Sequence, residues 1–139
     1  MSRKRMIWPD FWGDSELGRL PVQARLLYIA LWNVADDAGL LKADPAWLRA
    51  TVFGYDADVT TDAVTGWLTA LTETSHLLRY SVDRRDYFCL RTFHKYQRID
   101  HPTPSRLPVP PADVLERLDP VSLAALRQRH AGPRPNAVR

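Results

Sequence analysis

The sequence predicts a mainly α-helical domain with a small β-hairpin, followed by a C-terminal tail of short helices. Two observations carry this prediction. Three helical segments can be recognised between residues 21 and 74, and two β-rich runs then flank a short polar turn. The length of 139 residues, 45% of them hydrophobic and 25% charged, is typical of one compact core with tails.

The first two predicted helices have recognisable starts. Pro21 suits the first position of a helix over 22–35, which is apolar nearly all round and is therefore expected to be buried. Asp44 and Pro45 then pair a capping side chain with a first-turn proline ahead of a helix over 46–53.

The third helix is predicted over about 60–74. Its apolar positions follow helical spacing and are Val64, Trp67, Leu68 and Leu71. Its outward residues include several threonines but no lysine or arginine. This composition favours one buried stripe and one polar face.

Short β-rich runs separate and follow the helices. The turn 36–39 leads into a short strand over 40–42. Strands over 77–82 and 87–92 are joined by 83–86, which is typical of a hairpin turn and has two arginines at its tip.

The predicted order of elements is typical of a winged helix-turn-helix domain. This order is helix, short strand, helix, helix, strand, turn and strand. We assign residues 1–101 to such a domain, with a basic N-terminal segment. Prolines exclude regular structure from the linker 102–111. Residues 112–139 are expected to form short helices over 113–118 and 121–130 and a loose tail, separable from the core.

Positive charge concentrates at the two ends of this domain, although the net charge is only +3. Residues 1–5 hold three basic side chains, while 6–74 hold four basic against ten acidic, a balance of −6. Residues 75–106 hold seven basic against three acidic, a balance of +4. A polyanion is therefore expected to bind the ends of the domain and not its acidic middle.

Other features favour a cytoplasmic protein without a membrane segment. The single cysteine, Cys89, excludes an intrachain disulfide, and the sequence shows neither a secretory signal nor an apolar run near the ~18 residues of a membrane span.

A family resemblance covers roughly residues 3–104. The stretches that carry it are Arg3-Lys4-Arg5-Met6-Ile7 with Pro9 and Phe11-Trp12, Ala24-Arg25-Leu26-Leu27 with Leu31-Trp32, Ala35-Asp36-Asp37-Ala38-Gly39, Phe53-Gly54-Tyr55-Asp56, and Phe93-His94-Lys95-Tyr96-Gln97-Arg98-Ile99-Asp100. They resemble small phage-encoded winged-helix proteins akin to the N-terminal domains of phage replisome organisers and DnaD-like primosome proteins. The resemblance implies DNA binding in phage replication or in the regulation of replication or transcription. Longer family members carry a second domain for helicase recruitment.

We therefore expect a non-enzymatic protein that acts by occupancy and recruitment on double-stranded DNA. The candidate DNA-contacting residues are Arg3, Lys4, Arg5, Thr61, Thr65, Thr69, Arg79, Arg84, Arg85, Arg91, Lys95 and Arg98. Lysine and arginine provide phosphate contacts, whereas threonine can touch a thymine methyl but cannot clamp guanine as arginine does.

Each of these groups has a plainer interpretation. In that interpretation the threonine face and the arginine turn are solvated surface, the basic start is a solubilising segment, and Tyr96 with Ile99 pins the chain to the core. The alternative function is a protein-interaction module that docks a replication or host protein through the acidic helices. A homodimer is compatible with either function.

Metal binding and catalysis are not predicted, and no cofactor is expected. Cys89, His94 and His101 lack the paired short spacings of a structural zinc site. Asp36-Asp37 and the pair Asp56 and Asp58 stand where turns or helix caps favour aspartate. Trp32, Trp47 and Trp67 are assigned to the core because their neighbours are apolar.

Overall fold

The structure, a computed structural model, describes residues 3–131, with side chains up to residue 128. Its elements in chain order are α1 (Asp10–Gly13), α2 (Ser15–Gly18), α3 (Val22–Val34), β1 (Leu40–Lys42), α4 (Pro45–Val52), α5 (Thr61–Glu73), β2 (Leu77–Val82), β3 (Arg85–Leu90), α6 (Phe93–Tyr96), α7 (Ala112–Leu115) and α8 (Pro120–Ala131). The fold is mixed α/β, with mostly helical elements and one small antiparallel sheet. None of the helices in this range is both long and apolar enough to cross a bilayer.

The local signals that predicted the main helices have direct structural counterparts. Asp44 accepts a hydrogen bond from the backbone N–H of Trp47 at 3.0 Å and caps α4. Thr60 caps α5 in the same way, through the N–H of Ala63 at 3.1 Å, although only the apolar spacing of this helix had predicted it. The predicted turn at 36–39 is also confirmed, since Gly39 has a φ of 76°, a left-handed conformation that favours glycine.

The sheet has three strands in the order β1-β3-β2, so the predicted short strand and the hairpin join in one sheet. Val82 pairs with Arg85, which leaves a turn of only Asp83 and Arg84. The expected four-residue turn was therefore too long, and β3 begins two residues before the predicted start at Tyr87. Both turn residues have positive φ, 52° and 67°, the geometry of tight hairpin turns whose twist matches the strands.

The sheet separates two apolar clusters. Because side chains alternate along a strand, Leu41, Leu77, Phe88 and Leu90 face one way and pack with α3, α4 and α5. The stripe predicted on α5 lies in this cluster, with Val64, Leu68 and Leu71 buried and Trp67 packed against them.

The other face of the sheet is covered by the C-terminal segment. Leu40, Leu78, Tyr80, Tyr87 and Cys89 contact residues of this segment, and the buried members from it are Val114, Leu118 and Leu126. The Tyr80 hydroxyl also donates a hydrogen bond to the carbonyl oxygen of Pro108 at 2.8 Å.

This packing contradicts the expectation that the segment beyond the prolines is separate from the core. Residues 102–111 lack helix and strand as expected, but they carry the chain back across the sheet and do not act as a free spacer. The two C-terminal helices form close to the predicted ranges, at Ala112–Leu115 and Pro120–Ala131. The predicted loose tail is 131–139, of which Ala131 ends α8 and the rest lies outside the described residues.

Candidate nucleic-acid interface

The hairpin tip presents the predicted arginines to solvent. Arg84 and Arg85 are both exposed, and no hydrogen bond or ion pair joins either side chain to another residue in the described part of the chain. Arg84 is in the left-handed region, where an arginine is less favourable than glycine. The tip therefore carries two unpaired positive charges at a position that packing does not explain.

Arg79, on the neighbouring strand, is engaged with an acidic residue. Its guanidinium donates to Asp86 Oδ2 at 2.6 Å, and the Ser81 hydroxyl donates to Asp86 Oδ1. These two hydrogen bonds lower the pKa of Asp86 below its ordinary value. An exposed ion pair contributes little to stability, so Arg79 can exchange Asp86 for a phosphate at small cost.

The predicted threonine face lies on α5. Thr61, Thr65 and Thr69 are all exposed. The Thr65 hydroxyl donates to the carbonyl oxygen of Thr61 at 3.0 Å, and the Thr69 hydroxyl donates to that of Thr65 at 3.0 Å. The hydroxyl protons are thus used within the helix, which leaves oxygen lone pairs and methyl groups for an outside partner.

The basic N-terminal segment is fixed to the domain. Arg5 is buried, with 6% of its side chain exposed, and donates to Asp37 at 3.2 Å and to the carbonyl oxygens of Trp32 and Ala35. Arg3 also contacts Asp37 at 3.2 Å but keeps 41% of its side chain exposed. The assignment of Arg5 to DNA contact is therefore wrong, because its side chain is buried and its Nε and Nη2 atoms donate inside the protein. Of the three basic residues in this segment, only Lys4 is exposed without a partner among the described residues.

We expect the buried Arg5–Asp37 pair to be important for stability. The pKa of Asp37 lies below its ordinary value, because hydrogen bonds from Thr103 and Arg5 and the charges of Arg3 and Arg5 outweigh the burial that opposes ionisation. Replacing Asp37 by asparagine should therefore lower the free energy of unfolding by about 3 kcal/mol at neutral pH, measured by urea denaturation.

Acid should remove the same contribution from the wild-type protein. A lowered folded-state pKa gives stability that is present above the unfolded-state pKa of roughly 3.9 and is lost as the pH falls through the folded-state pKa. The difference between wild type and Asp37→Asn should shrink accordingly. Asp58→Asn is the matched control, since Asp58 is exposed and its side chain has no contact in the described chain. If Asp37→Asn and Asp58→Asn lower the free energy of unfolding by the same amount, the Arg5–Asp37 pair does not stabilise the fold as expected.

In the basic segment after the sheet, residues 91–98, some side chains are bound within the protein and others are exposed. Arg91 Nε donates to the carbonyl oxygen of Ser75 at 2.8 Å and holds the corner before β2, so its proposed DNA contact is not supported. Gln97 is buried and its amide binds both the N–H and the carbonyl oxygen of Met6. Lys95 and Arg98 remain exposed, with Lys95 Nζ lying 5.3 Å from the centre of the Tyr96 ring.

The interpretation that Tyr96 and Ile99 pin this segment to the core is confirmed by two contacts. The Trp8 indole N–H donates to the carbonyl oxygen of Tyr96 at 2.7 Å, and Ile99 packs against the main core. Tyr96 and Ile99 thus hold residues 93–99 to the domain, while the charges of Lys95 and Arg98 stay at the surface.

Two further cations, Lys42 and Arg106, line a groove beside β1. Lys42 pairs in register with Tyr87, two residues after Arg85. Arg106 lies beside Lys42 along a common groove. In the sequence Lys42 belongs to the acidic middle of the chain, and only its pairing with β3 reveals that it lies near the basic hairpin.

The residues considered for metal or catalysis have structural roles. Burial between the sheet and the C-terminal segment raises the pKa of the Cys89 thiol to about 12. Asp36 caps its turn by accepting the N–H groups of Ala38 and Leu40. The prediction that Trp47 belongs to the core is wrong, because this side chain is 48% exposed.

An acidic cluster that the sequence did not suggest joins the N-terminal helices to β2. Asp14, Glu16 and His76 have ligand atoms within 4.8 Å of one another. Asp14 Oδ1 accepts the N–H groups of Glu16 and Leu17, and Asp14 Oδ2 lies 2.7 Å from His76 Nε2. These hydrogen bonds outweigh burial and lower the pKa of Asp14. The cluster therefore serves to cap α2.

Comparison with protein-family models, with curated proteins and with solved structures found no match to this chain. The family resemblance and the functional assignment accordingly depend on the residues described above.

Proposed function

We propose that this chain is a winged helix-turn-helix domain that binds double-stranded DNA without catalysing a reaction. The observation that carries the proposal is the hairpin tip, where Arg84 and Arg85 are exposed and unpaired within the described residues. The hairpin is the wing of the domain, and α4 and α5 are its helix-turn-helix. Its role would be occupancy of a DNA site in phage replication or transcription, as the resemblance implies.

The backbone at the tip supports a partner outside the chain. A residue with a side chain in the left-handed conformation costs roughly 1 kcal/mol compared with its usual conformation. The two-residue hairpin turn requires this conformation of Arg84, with a φ of 67°, and the Arg84 side chain makes no contact with another described residue that would favour arginine over glycine there. Two adjacent guanidinium groups also repel each other. A phosphate backbone would relieve this repulsion, because each phosphate provides a negative charge for a guanidinium.

Helix α5 suits a supporting role in DNA recognition. It has no lysine or arginine, and its exposed residues are three threonines, Gly66, Asp62 and Glu73. Threonine methyl groups can contact thymine methyls, but this surface cannot provide the bidentate contacts that select guanine. We therefore infer that most of the affinity comes from backbone charges at the wing and that sequence preference is modest.

The direct test is salt-dependent binding of labelled duplex DNA. Binding through the wing should weaken steeply with salt, with a slope of roughly −2 to −4 in log affinity against log salt for two to four phosphate contacts. Absence of binding at low salt, or binding that salt does not change, would refute the proposal.

Substituting Thr65 by glutamate separates DNA binding from the alternative of protein docking. The position is exposed, so the free energy of unfolding should change by less than about 0.5 kcal/mol. A carboxylate near DNA is repelled, and duplex affinity should fall roughly tenfold if α5 approaches the groove. Thermal denaturation and fluorescence anisotropy measure the two effects.

The matched control is Ala124→Glu, an exposed position on α8, which lies on the opposite side of the sheet. It adds the same charge and should leave DNA affinity within about twofold. If Thr65→Glu also retains full affinity but loses a co-purifying protein, α5 is a protein-docking surface and does not contact DNA.

A further inference from the structure

A groove of about 600 Å³ lies next to the wing, between β1, the start of α4 and the proline-rich segment. Its walls include Lys42, Trp47, Arg106 and Leu107. This volume falls within the range of roughly 300–1,000 Å³ that is common for sites that hold small organic ligands. The groove can thus accommodate a nucleotide-sized group.

The negative charges along the groove are already engaged. Asp36 accepts two backbone N–H groups and the Ser105 hydroxyl, and Asp37 binds two arginines. Asp44 caps α4. By contrast, neither Lys42 nor Arg106 has an ion pair or hydrogen bond with another described side chain. Lys42 and Arg106 are therefore the two cations of the groove that are free to contact phosphates of a ligand.

Trp47 gives the groove an aromatic surface. Its side chain is 48% exposed and lies outside both apolar clusters of the domain. Exposed indole rings are the surfaces on which proteins stack unpaired bases, and stacking tolerates any base because every base has an aromatic face. A large exposed ring that lines the same groove as two unpaired cations matches the chemistry of a single nucleic-acid strand.

The groove also continues from the wing. Lys42 pairs with Tyr87, and the N–H of Ala43 donates to the carbonyl oxygen of Asp86 at 3.0 Å. Asp86 directly follows Arg85 at the tip, so phosphates that meet the wing lie next to the mouth of the groove.

We propose that this groove binds an unpaired nucleic-acid strand that leaves the duplex at the wing, with Trp47 stacking on a base and Lys42 and Arg106 contacting phosphates. The inference rests on the proposed duplex binding. It adds that the preferred substrate is a duplex with a single-stranded extension. The stacking residue is separate from the arginines of the tip, so the two functions can be tested apart.

The test compares a blunt duplex, the same duplex with a ten-nucleotide overhang, and the single strand alone, by anisotropy at one salt concentration. The wild-type protein should bind the overhang duplex about tenfold more tightly than the blunt duplex, the size expected for one stacked base. Trp47→Ala should lose this preference and keep its blunt-duplex affinity, while Trp47→Phe should retain most of the preference.

Trp12→Ala is the matched control, because Trp12 is 69% exposed on α1 and does not line the groove. It should retain the preference for the overhang. Equal wild-type affinity for the blunt and overhang duplexes, or an unchanged preference in Trp47→Ala, would overturn the inference. If blunt duplex is not bound at all, the proposed function fails, and Trp47-dependent binding of the single strand alone then decides the groove.

Discussion

Replacing Arg84 by glycine and Arg85 by alanine should weaken duplex binding roughly 10- to 100-fold at low salt, because each substitution removes a charge-assisted hydrogen bond to phosphate. The salt dependence should flatten by about one log unit for each phosphate that is no longer bound. The same variant should be as stable as the wild-type protein or more stable, since Arg84 has a φ of 67° and glycine is preferred at that turn position. Weaker binding in a protein of undiminished stability would identify a functional tip.

The control must remove the same charge elsewhere. Arg19 and Arg127 are exposed, and neither has a side-chain partner in the described chain. The double variant Arg19→Ala/Arg127→Ala therefore has the same net charge as the tip variant. If the two variants bind with equally reduced affinity, overall charge drives binding and the wing has no specific role.

Ending the chain at Arg106 should abolish cooperative unfolding. The deletion removes the segment that covers one whole face of the sheet and exposes Leu40, Leu78, Tyr80, Tyr87 and Cys89. Exposure of a large apolar side chain costs about 1.5–3 kcal/mol, so the total is comparable to the roughly 5–15 kcal/mol by which most domains are stable. Thermal denaturation followed by circular dichroism tests this expectation.

Cys89 provides a second measurement of the same prediction. In the intact chain the thiol is buried and its pKa is raised to about 12, so a thiol reagent should react very slowly at neutral pH. The shortened chain should react at a rate close to that of an unfolded protein. A chain ending at Ala131, which retains α7 and α8, should stay protected. Cooperative unfolding and a protected thiol in the shortened chain would show that the segment is separable after all.

A point substitution tests the same packing without deletion. Leu126 is 1% exposed, and Leu126→Ala should cost about 2–5 kcal/mol. Val121→Ala is the control on the same helix, since Val121 is 52% exposed and should cost less than about 1 kcal/mol.

Local signals in the sequence were sufficient for the main elements and for the tip. Asp44, Thr60 and Gly39 act through their own backbone neighbourhood, so the elements that they begin or end could be predicted from adjacent residues. Arg84 and Arg85 were also predictable, because a short polar turn between two strands is exposed wherever the hairpin lies.

Side chains whose partners are distant in sequence were assigned wrongly. Arg5 binds Asp37, 32 residues away, and Arg91 binds the carbonyl oxygen of Ser75, 16 residues away. A basic residue looks the same in sequence whether its charge is spent inside the protein or is free for a ligand. The structure distinguishes the two cases by burial and hydrogen bonding.

The amino-acid sequence alone thus determined the main helices, the approximate strands and the charged tip, because caps, periodicity and turn residues act over a few positions, whereas it did not indicate the four-residue helices α1, α2 and α6. Only the tertiary structure decided that the C-terminal segment completes the core, that Arg5 is internal, and that Lys42, Trp47 and Arg106 share a groove. These features depend on strand register and on which sheet face each element covers. Both are set by contacts between residues far apart in the chain, which no local pattern encodes.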